Sequence, residues 1–223
     1  MRWDEPGTRR LNVEATCRLI DQLLERGIIP VFASSDAVFD GSRGSRTETD
    51  TPRPVLTYGK QKLEVENYLA QHAAKWLVVR LAKVIGTAAA GDMLEDWMNA
   101  LDAGTEIVCA RDQVLSPVHV DDVVRALTEL ACGSHTGLFH VAGPDVLTRW
   151  DLLQLLIGEV ARFRAVDPRV RACRLAELKV AEPRPCDSSM SSAKLREILG
   201  FDMRDMRSAC AAAAGARYAL RGR

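Results

Sequence analysis

The chain has 223 residues, 47% hydrophobic and 27% charged, which supplies a globular core and a polar surface without disulfide or metal staples. A single domain of this size buries roughly 70% of its extended-chain surface. Lys plus Arg and Asp plus Glu each number 30, giving a formal net charge of zero, and a strongly basic nucleic-acid binder is excluded on average.

The six cysteines, at 17, 109, 132, 173, 186 and 210, show no CxxC spacing and read as free, buried thiols of a reducing cytoplasm. The opening MRWDEPGTRR is too polar for a secretory signal, and the sequence holds no apolar run of membrane-spanning length. A cytoplasmic chain with neither a membrane nor a nucleic-acid partner is the expectation.

Elements alternate along the chain. Leu11, Ala15, Leu19, Leu23 and Leu24 recur at helical spacing between about Arg10 and Arg26, and Gly27 stops that helix. IIPVFASS reads as a covered parallel strand, followed by a loop from Asp40 to Pro54. A helix is expected from Val55 to His72, then a strand over WLVVRLAKVIG. Further helices are expected over Gly91–Leu101, Asp121–Cys132 (capped by its own aspartates) and Leu147–Arg162, with strands at EIVCA and GLFHVAG. The remainder reads as a basic, Pro-containing stretch, then SSAKLREILG and an alanine-rich helix ending RYALRGR. Strand, crossover helix and strand in this order give an α/β fold with a doubly wound, Rossmann-like parallel sheet.

Only six basic residues are lysines, and two of them, Lys60 and Lys62, closely follow Tyr58. Tyr58 and Lys62 lie one turn apart on the same helical face. An ammonium near a phenol favours the phenolate and suits it to proton exchange with an alcohol or ketone. Ser34–Ser35 end the preceding strand, where ligands sit in open α/β sheets. Taken alone, YxxxK carries little information and reads more readily as the chance pairing of two residues on a surface helix.

The segments VFASSDAVFDG, TETDTPRP, YGKQKLEVE and VVRLAKVIG, followed by SPVHVDDVVRAL, GLFHVAGPDVLTRWDLLQLL and RPCDSSMSSAKLREILG, together resemble an extended short-chain dehydrogenase/reductase. Within that superfamily they resemble the dTDP-4-dehydrorhamnose reductases. The resemblance implies Ser35, Tyr58 and Lys62 as catalytic residues. Tyr58 and Lys62 would also touch the nicotinamide ribose of NADH or NADPH. Asn12 matches an asparagine that either packs between helix and sheet or serves the cofactor side. It also implies NAD(P)H-dependent reduction of the C4 ketone of a nucleotide-activated 4-dehydro-6-deoxysugar, a nucleotide-sugar partner, and a homodimer or heteromeric partner. The alternatives are a non-catalytic sugar-nucleotide or partner-binding regulatory protein and a truncated inactive remnant.

Two departures from the family pattern stand out. No GxxGxxG turn precedes the Tyr58 region: Gly41 and Gly44 lie in an open loop, and GTAAAG at 86–91 is wrongly spaced. The sequence therefore predicts an N-terminally truncated core, short by roughly 60 to 70 residues or about two βα units, with weak or absent cofactor affinity. Lys83 stands where the family usually has a tryptophan against the sugar. It is expected in substrate binding together with Arg184, a loop arginine suited to a diphosphate. Residues 1–145 read as the partial core and 146–223 as a small C-terminal substrate-binding subdomain. His119, Asp121 and Asp122 read as structural, with no metal expected. Arg80 reads as an ion-pair member and His140 as a hydrogen-bonded core residue.

Overall fold

The computed structural model describes residues 5–86, 91–178 and 180–219. Most of GTAAAG, Lys179 and the last four residues of RYALRGR lie outside the described residues. Helix α1 (Glu5–Arg9) passes through a π-helical turn (Arg10–Ala15) into α2 (Thr16–Glu25). There follow β1 (Val31–Ser35), a 3-10 turn (Asp36–Val38), α3 (Thr57–His72), β2 (Leu77–Leu81) and β3 (Val84–Ile85). Next come α4 (Met93–Ala103), β4 (Ile107–Ala110), β5 (Val114–Leu115), β6 (Val118–His119), α5 (Val120–Cys132) and β7 (Gly137–Val141). The chain continues through β8 (Leu147–Thr148), α6 (Arg149–Val160), β9 (Val170–Cys173), a 3-10 turn (Leu175–Glu177), α7 (Ala193–Leu199) and α8 (Met206–Tyr218).

Strands β1, β2 and β7 pair in parallel in that order. The central strand is covered on both sides because its apolar residues are consecutive. Leu77 and Val79 join Phe139, Val141, Val123 and Leu130 in one core. Val78 points the other way, against Val65 and Leu69 of α3 and Val13 and Ile20 of the N-terminal helices. A third core joins Trp97 and Met98 of α4 to Leu152 and Leu156 of α6 and Met206 and Cys210 of α8. Helices on both faces of a parallel sheet give the doubly wound, Rossmann-like layer.

The N-terminal truncation expected from the sequence does not hold. Residues 5–38 fold as a helical segment followed by β1, and they are an integral part of the Rossmann-like layer, with Val13 and Ile20 3% exposed beneath it. A missing glycine signature was a poor marker for this layer, which is made by parallel pairing and apolar burial rather than by glycines.

Other expectations shift locally. Gly27 adopts a φ of 68° and ends the first helical segment as expected. WLVVRLAKVIG is two strands, because the backbone leaves the central sheet after Leu81 and β3 pairs with β6 instead. Helix α5 is capped by His119, whose ring accepts from the Asp121 amide at 3.2 Å. Asp122 instead accepts from the Arg204 amide. Within the Pro-containing stretch, β9 pairs in parallel with β4. Of the six thiols, Cys109, Cys173 and Cys210 are buried, while Cys132 and Cys186 are exposed.

Candidate active site

The site forms where β1 and β2 end and α3 begins. Ser35 is the last residue of β1, and its hydroxyl closes the 3-10 turn by accepting from Ala37 N at 3.2 Å. The same oxygen lies 2.9 Å from Asp36 Oδ1, to which it donates. Close packing fixes α3 against this turn: a Cβ on Gly59 would stand 2.0 Å from the Ala37 carbonyl oxygen. Tyr58 thereby sits beside the strand end.

Lys62, one turn further, places its ammonium 5.6 Å from the Tyr58 ring centre and 4.6 Å from that of Phe32. Burial, and secondarily Asp36, holds the Tyr58 phenol above its ordinary value. Burial also pushes the Lys62 ammonium below its ordinary value, against the opposing pull of Glu66. The lowering of the tyrosine pKa expected from YxxxK is therefore absent in this arrangement. Asn12, on the π-helical turn, donates to Gln61 Oε1 at 2.9 Å and so ties the N-terminal helices to α3.

Tyr58 shares a cleft of about 490 Å³ with Asp36, Lys83, Glu182 and Arg184. Glu182 holds the far wall in place. Its carboxylate accepts from the Thr57 amide at 3.0 Å and from the Thr57 hydroxyl, capping α3 from a segment 125 residues away in sequence. A second chamber of about 260 Å³ also has Lys83 and Arg184 in its lining, together with Arg149, Gln113, Trp97 and Asp96. Among the described residues, Arg149 Nε and Gln113 Oε1 are buried there without a hydrogen-bond partner, and the Arg149 guanidinium lies 5.6 Å from the Trp97 ring centre. Burial lowers the Arg149 pKa, and Arg184 adds a smaller like-charge contribution in the same direction. Three cations facing one carboxylate make this chamber suited to an anion.

Gly41 and Gly44 are not in an open loop. A Cβ on Gly41 would stand 2.5 Å from Pro185, and one on Gly44 2.2 Å from Asp187 Oδ2, so the loop after β1 is packed onto the segment carrying Arg184. Beneath the site, Arg80 forms a buried pair with Glu66 (2.6 and 3.0 Å), which also accepts from the Ser34 hydroxyl. Sequence reasoning missed Asp36, Glu182, Arg149 and Gln113. Asp36 could have been found as the acidic neighbour of Ser35; the other three carry no local signal.

The RmlD substrate binding domain model matches residues 4–218. The chain belongs to that family. The match starting at residue 4 also overturns the expected loss of the N-terminal part. A dTDP-4-dehydrorhamnose reductase from Aggregatibacter actinomycetemcomitans is 24% identical over 205 residues, covering 87% of this chain and 69% of that protein. The methionine adenosyltransferase 2 subunit beta of Bos taurus is 28% identical over 153 residues, 64% of this chain and 45% of that one. The crystal structure of dTDP-4-dehydrorhamnose reductase from Bacillus anthracis in complex with NADP superposes with a TM-score of 0.83 at 20% identity. That superposition covers 96% of this chain and 75% of that one, and it establishes the shared fold. Among the described residues no helix is long and apolar enough to cross a membrane.

Proposed function

We propose that the chain is an NAD(P)H-dependent reductase of a nucleotide-activated 4-dehydro-6-deoxysugar. The observation that carries this reading is the shared cleft: Tyr58 opens onto the same space as Lys83 and Arg184, together with Asp36, the residue that follows Ser35. The Tyr58–Lys62 pair fits the ribose end of a nicotinamide cofactor, since Lys62 is a half-desolvated ammonium beside the phenol. When bound, the nicotinamide supplies the hydride. Tyr58 gives its phenolic proton to the carbonyl oxygen, and the phenolate left behind is stabilised once the Lys62 ammonium turns to it from the Ala33 carbonyl that it bonds in the free chain. Ser35 hydrogen-bonds the carbonyl oxygen, and Lys83 and Arg184 hold the acidic part of the substrate.

The test is nicotinamide oxidation by the purified chain with a dTDP-4-dehydro-6-deoxyhexose. Turnover lost in Tyr58→Phe supports the reading; turnover unaffected by that change, or absent with both NADH and NADPH, overturns it. A second reading, a non-catalytic regulatory subunit, is favoured by the likeness to methionine adenosyltransferase 2 subunit beta. It predicts capture of a partner protein that persists in Tyr58→Phe and needs no nicotinamide.

A further inference from the structure

We propose that Asp36 is a positioning residue: by holding or releasing its own proton it sets whether the Ser35 hydroxyl donates to a ligand carbonyl or accepts from a ligand hydroxyl. The inference deepens the reductase reading and rests on it for the identity of the ligand. A serine hydroxyl has one proton and two lone pairs. One lone pair of Ser35 is taken by the Ala37 amide at 3.2 Å, and the oxygen lies 2.9 Å from Asp36 Oδ1.

Two states follow from that inventory. With Asp36 ionised, Ser35 must give its only proton to the carboxylate and can offer a ligand nothing but a lone pair, which suits an alcohol. With Asp36 protonated, the acid donates to Ser35, and the Ser35 proton is free for a carbonyl oxygen, which suits a ketone. Only the Asp36 O–H bond is made or broken, and the open cleft gives it exchange with water.

The surroundings favour a proton on this acid. Burial is the largest influence on Asp36 and raises its pKa; hydrogen bonds from Ser35, Ser188 and the Ala37 amide oppose it, and Lys83 contributes least. Tyr58 on α3, Lys83 after β2, and Glu182 and Arg184 on the far wall are the other charged or titratable groups lining the same cleft.

The first measurement needs no substrate. In protein carrying isotope-labelled aspartate, the Asp36 carboxyl signal is the one lost in Asp36→Asn. It should titrate above the ordinary value of 3.8 and move higher in Ser35→Ala, where the carboxylate loses a donor. A midpoint at or below the ordinary value, or no response to Ser35→Ala, overturns the proposal.

The second measurement compares binding of a dTDP-4-dehydro-6-deoxyhexose (ketone) with dTDP-glucose (alcohol). The ketone preference should fall about tenfold as pH rises through the Asp36 midpoint, the equivalent of one hydrogen bond of roughly 1.4 kcal/mol. It should stay flat in Asp36→Asn, whose amide donates at every pH. A pH-independent preference in the parent protein overturns the proposal. Failure of both sugars to bind while the carboxyl titrates as expected overturns the substrate reading and leaves the Asp36–Ser35 coupling standing.

Discussion

Lys62 donates its ammonium proton to the main-chain oxygen of Ala33 at 2.8 Å. Strand β1 lies at the edge of its sheet, and the Leu77 amide bonds Pro30 O, so in a parallel ladder the Ala33 carbonyl points to the unpaired side. Lys62 thus closes an open strand edge in the free chain, and the phenol beside it is left above its ordinary pKa. Ultraviolet titration should show Tyr58, identified by difference with Tyr58→Phe, ionising above pH 10. Lys62→Met should cut reductase turnover by about 100-fold or more. A turnover loss under tenfold would remove Lys62 from the proposed chemistry.

The Arg80–Glu66 pair is almost fully enclosed, at 3% and 7% exposure. Breaking such a pair from one side strands the other charge, so Glu66→Ala should lower stability by about 3–5 kcal/mol. The double change Arg80→Met with Glu66→Leu should recover much of that. Urea denaturation of the three proteins measures both effects.

His140 is fully buried, its Nδ1–H donating to the Arg46 carbonyl oxygen at 3.2 Å, and its pKa is pushed down to about 3 by burial and by Arg80. The unfolded chain binds this proton below about pH 6.5 while the folded chain does not. Stability from neutral His140 is therefore fully present above that pH and is lost as pH falls from about 6.5 toward 3. His140→Gln should flatten the denaturation midpoint across this window.

Among the described residues, Arg149 Nε is buried with no partner, which is costly in the free protein. Arg149→Met should leave stability unchanged or raise it by about 1 kcal/mol. The same change should weaken binding of dTDP or UDP at least tenfold, as calorimetry would show. Weakened folding together with unchanged nucleotide binding would contradict the chamber's role.

Gly59→Ala places a methyl against the Ala37 carbonyl. The expected cost is about 1–3 kcal/mol, accompanied by displacement of Tyr58 from the cleft and loss of turnover exceeding the loss of folded protein. Circular dichroism melting alongside turnover separates the two.

Local sequence carried part of this site and distant sequence the rest. The Tyr58–Lys62 spacing and the strand ending in Ser35 were readable because helix period and strand length are local properties. Glu182 capping α3, and Arg149 meeting Arg184, depend on chain segments brought together by β4–β9 pairing and by packing of the loop at Gly41 and Gly44 onto residues 185–189. The lack of a glycine motif says nothing about the N-terminal layer, whose burial rests on the apolar spacing of Val13 and Ile20. The His119 cap is not legible in the sequence because imidazoles rarely serve as one.

The gathering of Lys83, Arg149 and Arg184 around one chamber has a kinetic consequence. The whole molecule is electrically neutral, so a dissolved anion gains little attraction at a distance, and screening confines any pull to about 8 Å at physiological ionic strength. Encounter would therefore be governed by ordinary diffusion, with the charge of the ligand sorted only in the last few ångströms of entry. Added salt should accordingly hasten departure far more than it slows arrival.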